Sequence, residues 1–263
     1  MLSLLEFKER NKNTKIFALI GSPVDKSVGD VFHNRYFQDH QIEARYFKWM
    51  VEKEDLQEAL CFLKTQVSGL SVTMPLKEAI LPYVDKPDAL VEKIGALNTL
   101  VIQDHLWKGT NTDGLGAMNA FGSSIQNKKL ALLGAGGSAR ALAHAAVERG
   151  ALVWIFNRCK EKAQRISKGL GAQGGLGFQE RPPVDFDVFV NTLPFGVALE
   201  EGFFMEQRVW GKEQRIVDIT HTQEESWLFP VACRCGFLFM DRRPLFLEQA
   251  LLQQAYWRSS FGL

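Results

Sequence analysis

Lys129-Leu130-Ala131-Leu132-Leu133-Gly134-Ala135-Gly136-Gly137-Ser138-Ala139-Arg140 is the stretch that decides the fold. A short apolar strand runs straight into a glycine turn. The turn opens onto Ala141, Leu142, Ala145, Ala146 and Val147, a small-residue packing face at helical spacing. Strand, tight turn and closely packed helix are what a dinucleotide pyrophosphate requires. Gly134 permits the turn, Gly136 lets backbone approach phosphate oxygens, and the first N–H groups of the helix are free to face the anion. Ala139 holds the third position of G-x-G-x-x-G in its G-x-G-x-x-A form.

The next strand, Leu152–Phe156, ends in Asn157-Arg158, with Lys160 and Lys162 beyond and no acid before Glu161. A carboxylate at that strand end holds the ribose hydroxyls of NAD and repels a 2′-phosphate, whereas Arg158 can pair with the phosphate through two charged hydrogen bonds. The sequence therefore predicts NADP. A helix follows over Glu161–Leu170, then strands at Asp187–Asn191 and Arg215–Ile219, and an amphipathic helix over Pro244–Arg258. Gly169 to Gly177 holds five glycines and reads as a loop. Upstream, apolar runs at Lys15–Ile20, Arg45–Val51 and Gly69–Thr73 read as strands. Helical patterns lie near Asp30–His40 and Asp55–Lys64, and Asn98–Ile102 pairs with a short partner around Trp107 as a hairpin. Alternation from end to end predicts an α/β fold.

With 263 residues, 46% apolar and 23% charged, the chain has the composition of an ordinary globular protein, long enough for two modest domains. A net charge of +1 gathers neither nucleic acid nor an anionic membrane surface. No apolar stretch approaches the roughly 20 residues that span a bilayer. Met1 to Asn13 carries Glu6, Lys8, Glu9 and Arg10 where a signal core would be apolar, so the sequence reads as cytoplasmic. Cys61, Cys159, Cys233 and Cys235 are too scattered for a disulfide framework, and the C-x-C lacks a second ligand pair, so no metal site is expected.

Around the glycine turn stand further short motifs: Gly21-Ser22-Pro23-Val24 with Ser27, Ser71-Val72-Thr73-Met74-Pro75-Leu76-Lys77, Gly95-Ala96-Leu97-Asn98-Thr99, Asn111-Thr112-Asp113-Gly114 and Gln249. In order and spacing this set resembles the shikimate dehydrogenase family over nearly the whole chain. The resemblance implies a substrate domain at 1–112, an NADP-binding Rossmann domain at 113–241, and a C-terminal helix at 242–263 packing back on the substrate domain, with the active site in the cleft. It implies reversible hydride transfer between NADP and the 3-hydroxyl carbon of shikimate, giving 3-dehydroshikimate. Lys77 and Asp113 match the family's catalytic pair. Ser27, Thr73, Asn98, Asn111, His221 and Gln249 match substrate-binding positions. Gly134, Ala135, Gly136, Gly137, Ser138, Ala139, Asn157, Arg158, Lys162 and Thr192 match cofactor-binding ones. Leu4-Leu5-Glu6-Phe7 through Phe17 resembles the linker of fused dehydroquinate dehydratase–shikimate dehydrogenases, which implies a dehydratase partner or fused domain. The oligomer, monomer or homodimer, is left open.

The family pattern is broken at three places. H-S-x-S-P reads Lys26-Ser27-Val28-Gly29-Asp30, so one serine hydroxyl is missing. D-x-x-Y reads Asp218-Ile219-Thr220-His221, and D-G-L-G-M reads Asp241-Arg242-Arg243-Pro244-Leu245. Two other readings follow from these breaks. One is a quinate/shikimate dehydrogenase, with Gly29 making room for an extra hydroxyl. The other is a non-catalytic nucleotide- or metabolite-binding relative, against which Lys77 and Asp113 argue.

Overall fold

The computed structural model describes residues 13–122, 125–180, 185–194, 197 and 214–262. Leu4-Leu5-Glu6-Phe7 of the linker-like segment lies outside them. The chain divides into two compact units, Met1–Thr112 with Ala250–Leu263, and Asp113–Gln249. The division falls within the closing helix, Arg242–Phe261.

The first unit is a six-stranded mixed sheet. Its strands are β1 (Lys15–Gly21), β2 (Ala44–Met50), β3 (Gly69–Val72), β4 (Lys86–Pro87), β5 (Thr99–Gln103) and β6 (Leu106–Thr110), in the order β2-β1-β3-β5-β6-β4. Helices α1 (Gly29–Asp39), α2 (Leu56–Gln66), α3 (Leu76–Ala79) and α4 (Ala89–Ile94) connect them. β1 is central and covered on both faces, which is why its sequence is a continuous apolar run rather than an alternation. Ile16, Ala18 and Ile20 enter a core with Leu60 and Leu63 of α2. Phe17 and Leu19 point the other way, to Phe37 of α1 and Trp257 of the closing helix. Trp257 lies 4.6 Å from the Phe17 ring and donates its indole N–H to the Leu100 carbonyl at 3.0 Å. The β5–β6 hairpin turns at Asp104 and His105, both with left-handed φ (53° and 62°), the twist that two-residue hairpin loops favour.

The second unit is a six-stranded parallel sheet. Its strands are β7 (Lys129–Leu133), β8 (Leu152–Phe156), β9 (Gly174–Leu176), β10 (Val188–Asn191), β11 (Arg215–Asp218) and β12 (Leu238–Met240), in the order β12-β11-β10-β7-β8-β9. Renumbered from β7, this is the 3-2-1-4-5-6 order of the dinucleotide-binding fold. Its helices are α5 (Asp113–Phe121), α6 (Gly137–Glu148), α7 (Lys160–Leu170) and α8 (Leu228–Cys235), followed by the closing helix.

The glycine-rich stretch at Gly169–Gly177 is not all loop. α7 runs to Leu170, Gly171 ends it at φ 73°, and Gly174–Leu176 is β9. Gly175 belongs in that strand because a Cβ there would lie 2.2 Å from the Gln164 nitrogen, so β9 presses directly on α7. The closing helix begins at Arg242, two residues before the expected Pro244, because Asp241 caps it. The Asp241 carboxylate accepts the Arg243 N–H at 3.0 Å and the Arg243 guanidinium at 2.7 Å. Pro244 is harmless in a first turn.

His33 of α1 is buried, stacked 4.4 Å from Tyr46, with its Nδ1 2.7 Å from the Gln254 carboxamide nitrogen. Burial pushes its pKa down from 6.5 to about 3. The folded protein thus binds fewer protons than the unfolded chain between those values, and stability falls as pH drops through that window. Taking the protein from pH 7 to about pH 5.5 should cost about 1 kcal/mol through this group. Urea unfolding at both pH values checks it, with His33→Gln expected to flatten the dependence.

Candidate active site

In the first unit β1 and β3 run parallel, β5 antiparallel to β3, and β6 antiparallel to β5. Ser71 pairs with Thr99, and Thr99 with Thr110. The ends of β1, β3 and β6 and the start of β5 therefore share one edge of the sheet. The topology gathers there Ser27 from the loop after β1, Thr73 after β3, Lys77 on α3, Asn98 before β5 and Asn111 after β6. Backbone hydrogen bonds lace these segments together: Thr73 N–H to Ile20 at 2.9 Å, Val72 N–H to Asn98 at 2.8 Å, and Ser22 N–H to Met74 at 2.8 Å.

The side chains divide by burial. Leu76 and Ile80, one turn apart and fully buried, hold α3 so that Lys77 is half-exposed at the edge. Asn98 is buried. Its Oδ1 accepts the Thr112 N–H at 2.9 Å and the Thr99 hydroxyl at 2.7 Å, and its Nδ2 donates to the Thr112 hydroxyl at 2.9 Å. Asn111, also buried, donates to the Ala96 carbonyl at 3.2 Å. Gln253 of the closing helix, which the sequence reading passed over, accepts from Ser71 at 3.0 Å. It donates to the Asn98 carbonyl at 3.2 Å and the Thr99 hydroxyl at 3.1 Å. A buried amide costs free energy unless bonded, so this network fixes its members in one arrangement.

Lys48 was also missed. From β2 it reaches the carbonyls of Asp25 at 3.2 Å and Ser27 at 3.0 Å, and lies 3.4 Å from the Asp30 carboxylate. It clamps the altered loop around Ser27, whose hydroxyl accepts the Gly29 N–H at 3.1 Å. No local sequence signal marks Lys48, because its partners come from a different connection of the sheet.

In the second unit the turn after β7 lies where the strand order reverses between β7 and β10. Gly134 has φ 114°, and a Cβ on it would stand 2.3 Å from Oγ1 of Thr192, the residue after β10. Ala135 and Ala139 are buried. Gly136 is the N-cap of α6 with no side-chain cap, and among the described residues nothing lies within 4 Å of where its Cβ would be. The turn is thus open on the side where Gly137, Ser138 and Ala139 start the helix and offer their N–H groups, and it suits a pyrophosphate. Beyond β8, Asn157 donates to the Cys159 carbonyl at 3.2 Å. Lys160 is paired with Glu180 at 2.6 Å, whereas Arg158 and Lys162 make no hydrogen bond or ion pair among the described residues. Glu180 is thereby occupied, Glu161 accepts from the Cys159 thiol at 3.3 Å, and Arg158 and Lys162 remain for a phosphate.

His221 is buried beside Asp218, its Nδ1 3.1 Å from the carboxylate and 2.7 Å from the Thr220 hydroxyl. Asp218 also accepts from Ser226 at 2.5 Å and Asn191 at 3.2 Å. A half-buried Gln249 donates to the Phe246 carbonyl at 3.2 Å. Asp113 opens α5, and its Oδ2 accepts the hydroxyl of Ser138 at 3.1 Å.

Sheet order and turn define the second unit as a dinucleotide-binding module, in a chain whose first unit presents a polar sheet edge. Residues 19–100 match the family model described as the shikimate dehydrogenase substrate binding domain. A protein of Methanococcoides burtonii named shikimate dehydrogenase (NADP(+)) is 38% identical over 213 residues, covering 79% of this chain and 78% of its own. The shikimate biosynthesis protein AroDE of Chlamydia pneumoniae is 33% identical across 97% of this chain, which spans 52% of that protein. A crystal structure of shikimate dehydrogenase from Aquifex aeolicus superposes with a TM-score of 0.82 at 29% identity, covering 95% of this chain and 94% of that one. The chain belongs to the shikimate dehydrogenase family. None of the helices among the described residues is long and apolar enough to cross a membrane.

If Arg158 holds a 2′-phosphate, Arg158→Ala should weaken NADP about 10- to 100-fold while leaving NAD nearly unchanged, the effect of losing a charged hydrogen-bonded contact. Dissociation constants for both nucleotides on both proteins test this. An equal preference in the unsubstituted protein would remove Arg158 from the cofactor site.

Proposed function

We propose that this chain catalyses the NADPH-dependent, reversible reduction of 3-dehydroshikimate to shikimate, a step of chorismate and aromatic amino acid biosynthesis. The observation that carries the reading is the gathering of Ser27, Thr73, Lys77, Asn98 and Asn111 on one sheet edge, in a chain whose other unit holds a phosphate turn open at Gly136. The proposed cofactor ligands are Gly134–Ala139, Asn157, Arg158, Lys162 and Thr192. When bound, NADP supplies the acceptor for the hydride leaving the alcohol carbon.

Oxidising an alcohol also requires its hydroxyl proton to leave, so a base must touch that oxygen. Lys77 takes the proton in that direction and returns it in the other, with Asp113 orienting it and accepting from a substrate hydroxyl. Asn98 and Asn111 match ring hydroxyls, Ser27, Thr73 and His221 the carboxylate, and Gln249 closes the other side of the substrate. A buried polar group left unmatched by a wrong substrate is what gives such a site its selectivity. A dehydroquinate dehydratase, as a partner or a fused domain, is the activity that supplies 3-dehydroshikimate. The setting is the cytoplasm, as monomer or homodimer.

Gly29 bears on the quinate reading. A Cβ there would lie 3.2 Å from the Ser27 hydroxyl and 3.5 Å from that of Tyr46, so the space left by the missing side chain is largely filled. This favours shikimate over quinate. Initial rates with shikimate and quinate, each with NADP and NAD, followed by nicotinamide absorbance, test the reading. Preference for quinate would overturn it.

Lys77→Ala should cut turnover about 10²- to 10⁴-fold with NADP binding little changed, the range for a general acid–base group. Asp113→Asn should lose less turnover and more shikimate affinity. Steady-state kinetics with a parallel NADP titration check both. Near-normal turnover in Lys77→Ala would assign the proton to another group.

Gly29→Ser should lower the Michaelis constant for shikimate about 10-fold, by restoring a hydroxyl to the carboxylate loop, provided Ser27 shifts by a few tenths of an ångström. A rise instead, measured on shikimate and quinate alike, would mean that Lys48 and its loop already hold the carboxylate fully.

A further inference from the structure

Ser138 stands in the phosphate turn, yet its hydroxyl donates to Asp113 at 3.1 Å. The contact is built into the unit. A Cβ on Gly114 would lie 2.3 Å from the Ala141 carbonyl oxygen and 3.0 Å from the Ala145 methyl, so α5 meets α6 backbone against backbone beside this bond. That close approach holds the N-terminus of α5, where Asp113 sits, against the N-terminus of α6, where Ser138 sits.

A hydroxyl has one proton to give. The one on Ser138 can go to Asp113 Oδ2 or to a phosphate oxygen seated on the turn, not to both at once. We infer that Ser138 is a positioning residue whose single proton couples occupancy of the phosphate turn to the availability of Asp113 for substrate. The inference rests on the reading of Asp113 as a substrate-contacting group. A pyrophosphate that draws the Ser138 proton takes a donor away from Oδ2 and leaves it the stronger acceptor for a substrate hydroxyl, so nucleotide and substrate each tighten the other's binding. Such coupling is reciprocal by thermodynamic necessity.

The test uses 2′-phospho-ADP-ribose, which carries the pyrophosphate but no nicotinamide, so direct contact between nicotinamide and substrate plays no part. Shikimate binding is measured by calorimetry with and without saturating fragment. In the unsubstituted protein the fragment should tighten shikimate binding about five-fold or more. In Ser138→Ala, shikimate should bind equally, to within about two-fold, in both conditions and at the tighter value. Ser138→Thr, which keeps a hydroxyl, should retain the wild-type ratio. A ratio near one in the unsubstituted protein, or a wild-type ratio in Ser138→Ala, overturns the inference. Asp113→Asn separates this from the reading of the site. If it leaves shikimate binding unchanged in both conditions, both fall. If it weakens binding while Ser138→Ala keeps the wild-type ratio, the site reading stands and the shared proton does not.

Discussion

The second unit depends on the missing side chain of Gly134. The chain leaves β7 at φ 114°, a backbone that L residues rarely adopt, and passes so close to Thr192 that a methyl group would overlap its hydroxyl oxygen. Only that tight exit lets α6 start at Gly137 with no side chain among the described residues capping its first N–H groups, and only a parallel sheet that reverses order there leaves a crevice above them. Thr192 is held by its own bonds to the Leu133 carbonyl, N–H at 2.9 Å and hydroxyl at 2.7 Å, so the strand that crowds Gly134 also steadies it. A side chain here would strain the turn and move both walls of the crevice together.

The first unit answers a different problem, which is how to keep polar groups at a sheet edge in fixed positions. Its solution is to bury them in each other's company. Asn98 meets Thr99 and Thr112, Gln253 ties Ser71 to Thr99 and the Asn98 backbone, and Trp257 anchors the closing helix on the Leu100 carbonyl. Each buried amide would be costly alone, and in a bonded group each restricts the next. The closing helix is therefore needed at the edge for its hydrogen bonds as well as its apolar bulk, although it lies more than a hundred residues away in sequence.

The parts of the fold legible in the sequence were those with a local cause. β1, β7 and β8 are doubly covered strands and so read as apolar runs, and the turn at Gly134 read correctly because glycine spacing itself encodes its geometry. β9 hid inside a glycine-rich stretch, because its glycines serve contact with α7 rather than chain reversal, and composition does not distinguish the two. α5 was not read as a helix at all, since two glycines among its first four residues lower its intrinsic propensity and its packing on α6 restores it. The candidate site shows the same division. Motif residues such as Lys77 and Asn111 could be named from short patterns, while Lys48 and Gln253 act through strands and helices that meet only in three dimensions.

The three breaks in the family pattern are also where the structure supplies local substitutes. Asp30, where proline is usual, gains Lys48, and Lys48 in turn gathers the carbonyls of Asp25 and Ser27 that bracket the loop. Asp241 caps the closing helix where a glycine-rich approach is usual, and its carboxylate also takes the Gln223 N–H at 3.1 Å, tying the start of that helix to the segment after β11. Burial works against the charge on Asp241, but the bonds from Arg243 and Gln223 outweigh it and hold the carboxyl below its ordinary range. His221, in place of tyrosine, is oriented by a carboxylate that is itself held by Ser226, Asn191 and Thr220. In each case a charged or ring-bearing side chain that would be out of place alone comes with bonded partners nearby. Bonded in this way, each altered segment is held in one arrangement, because a buried or half-buried polar group that lost its partner would carry the full cost of its desolvation.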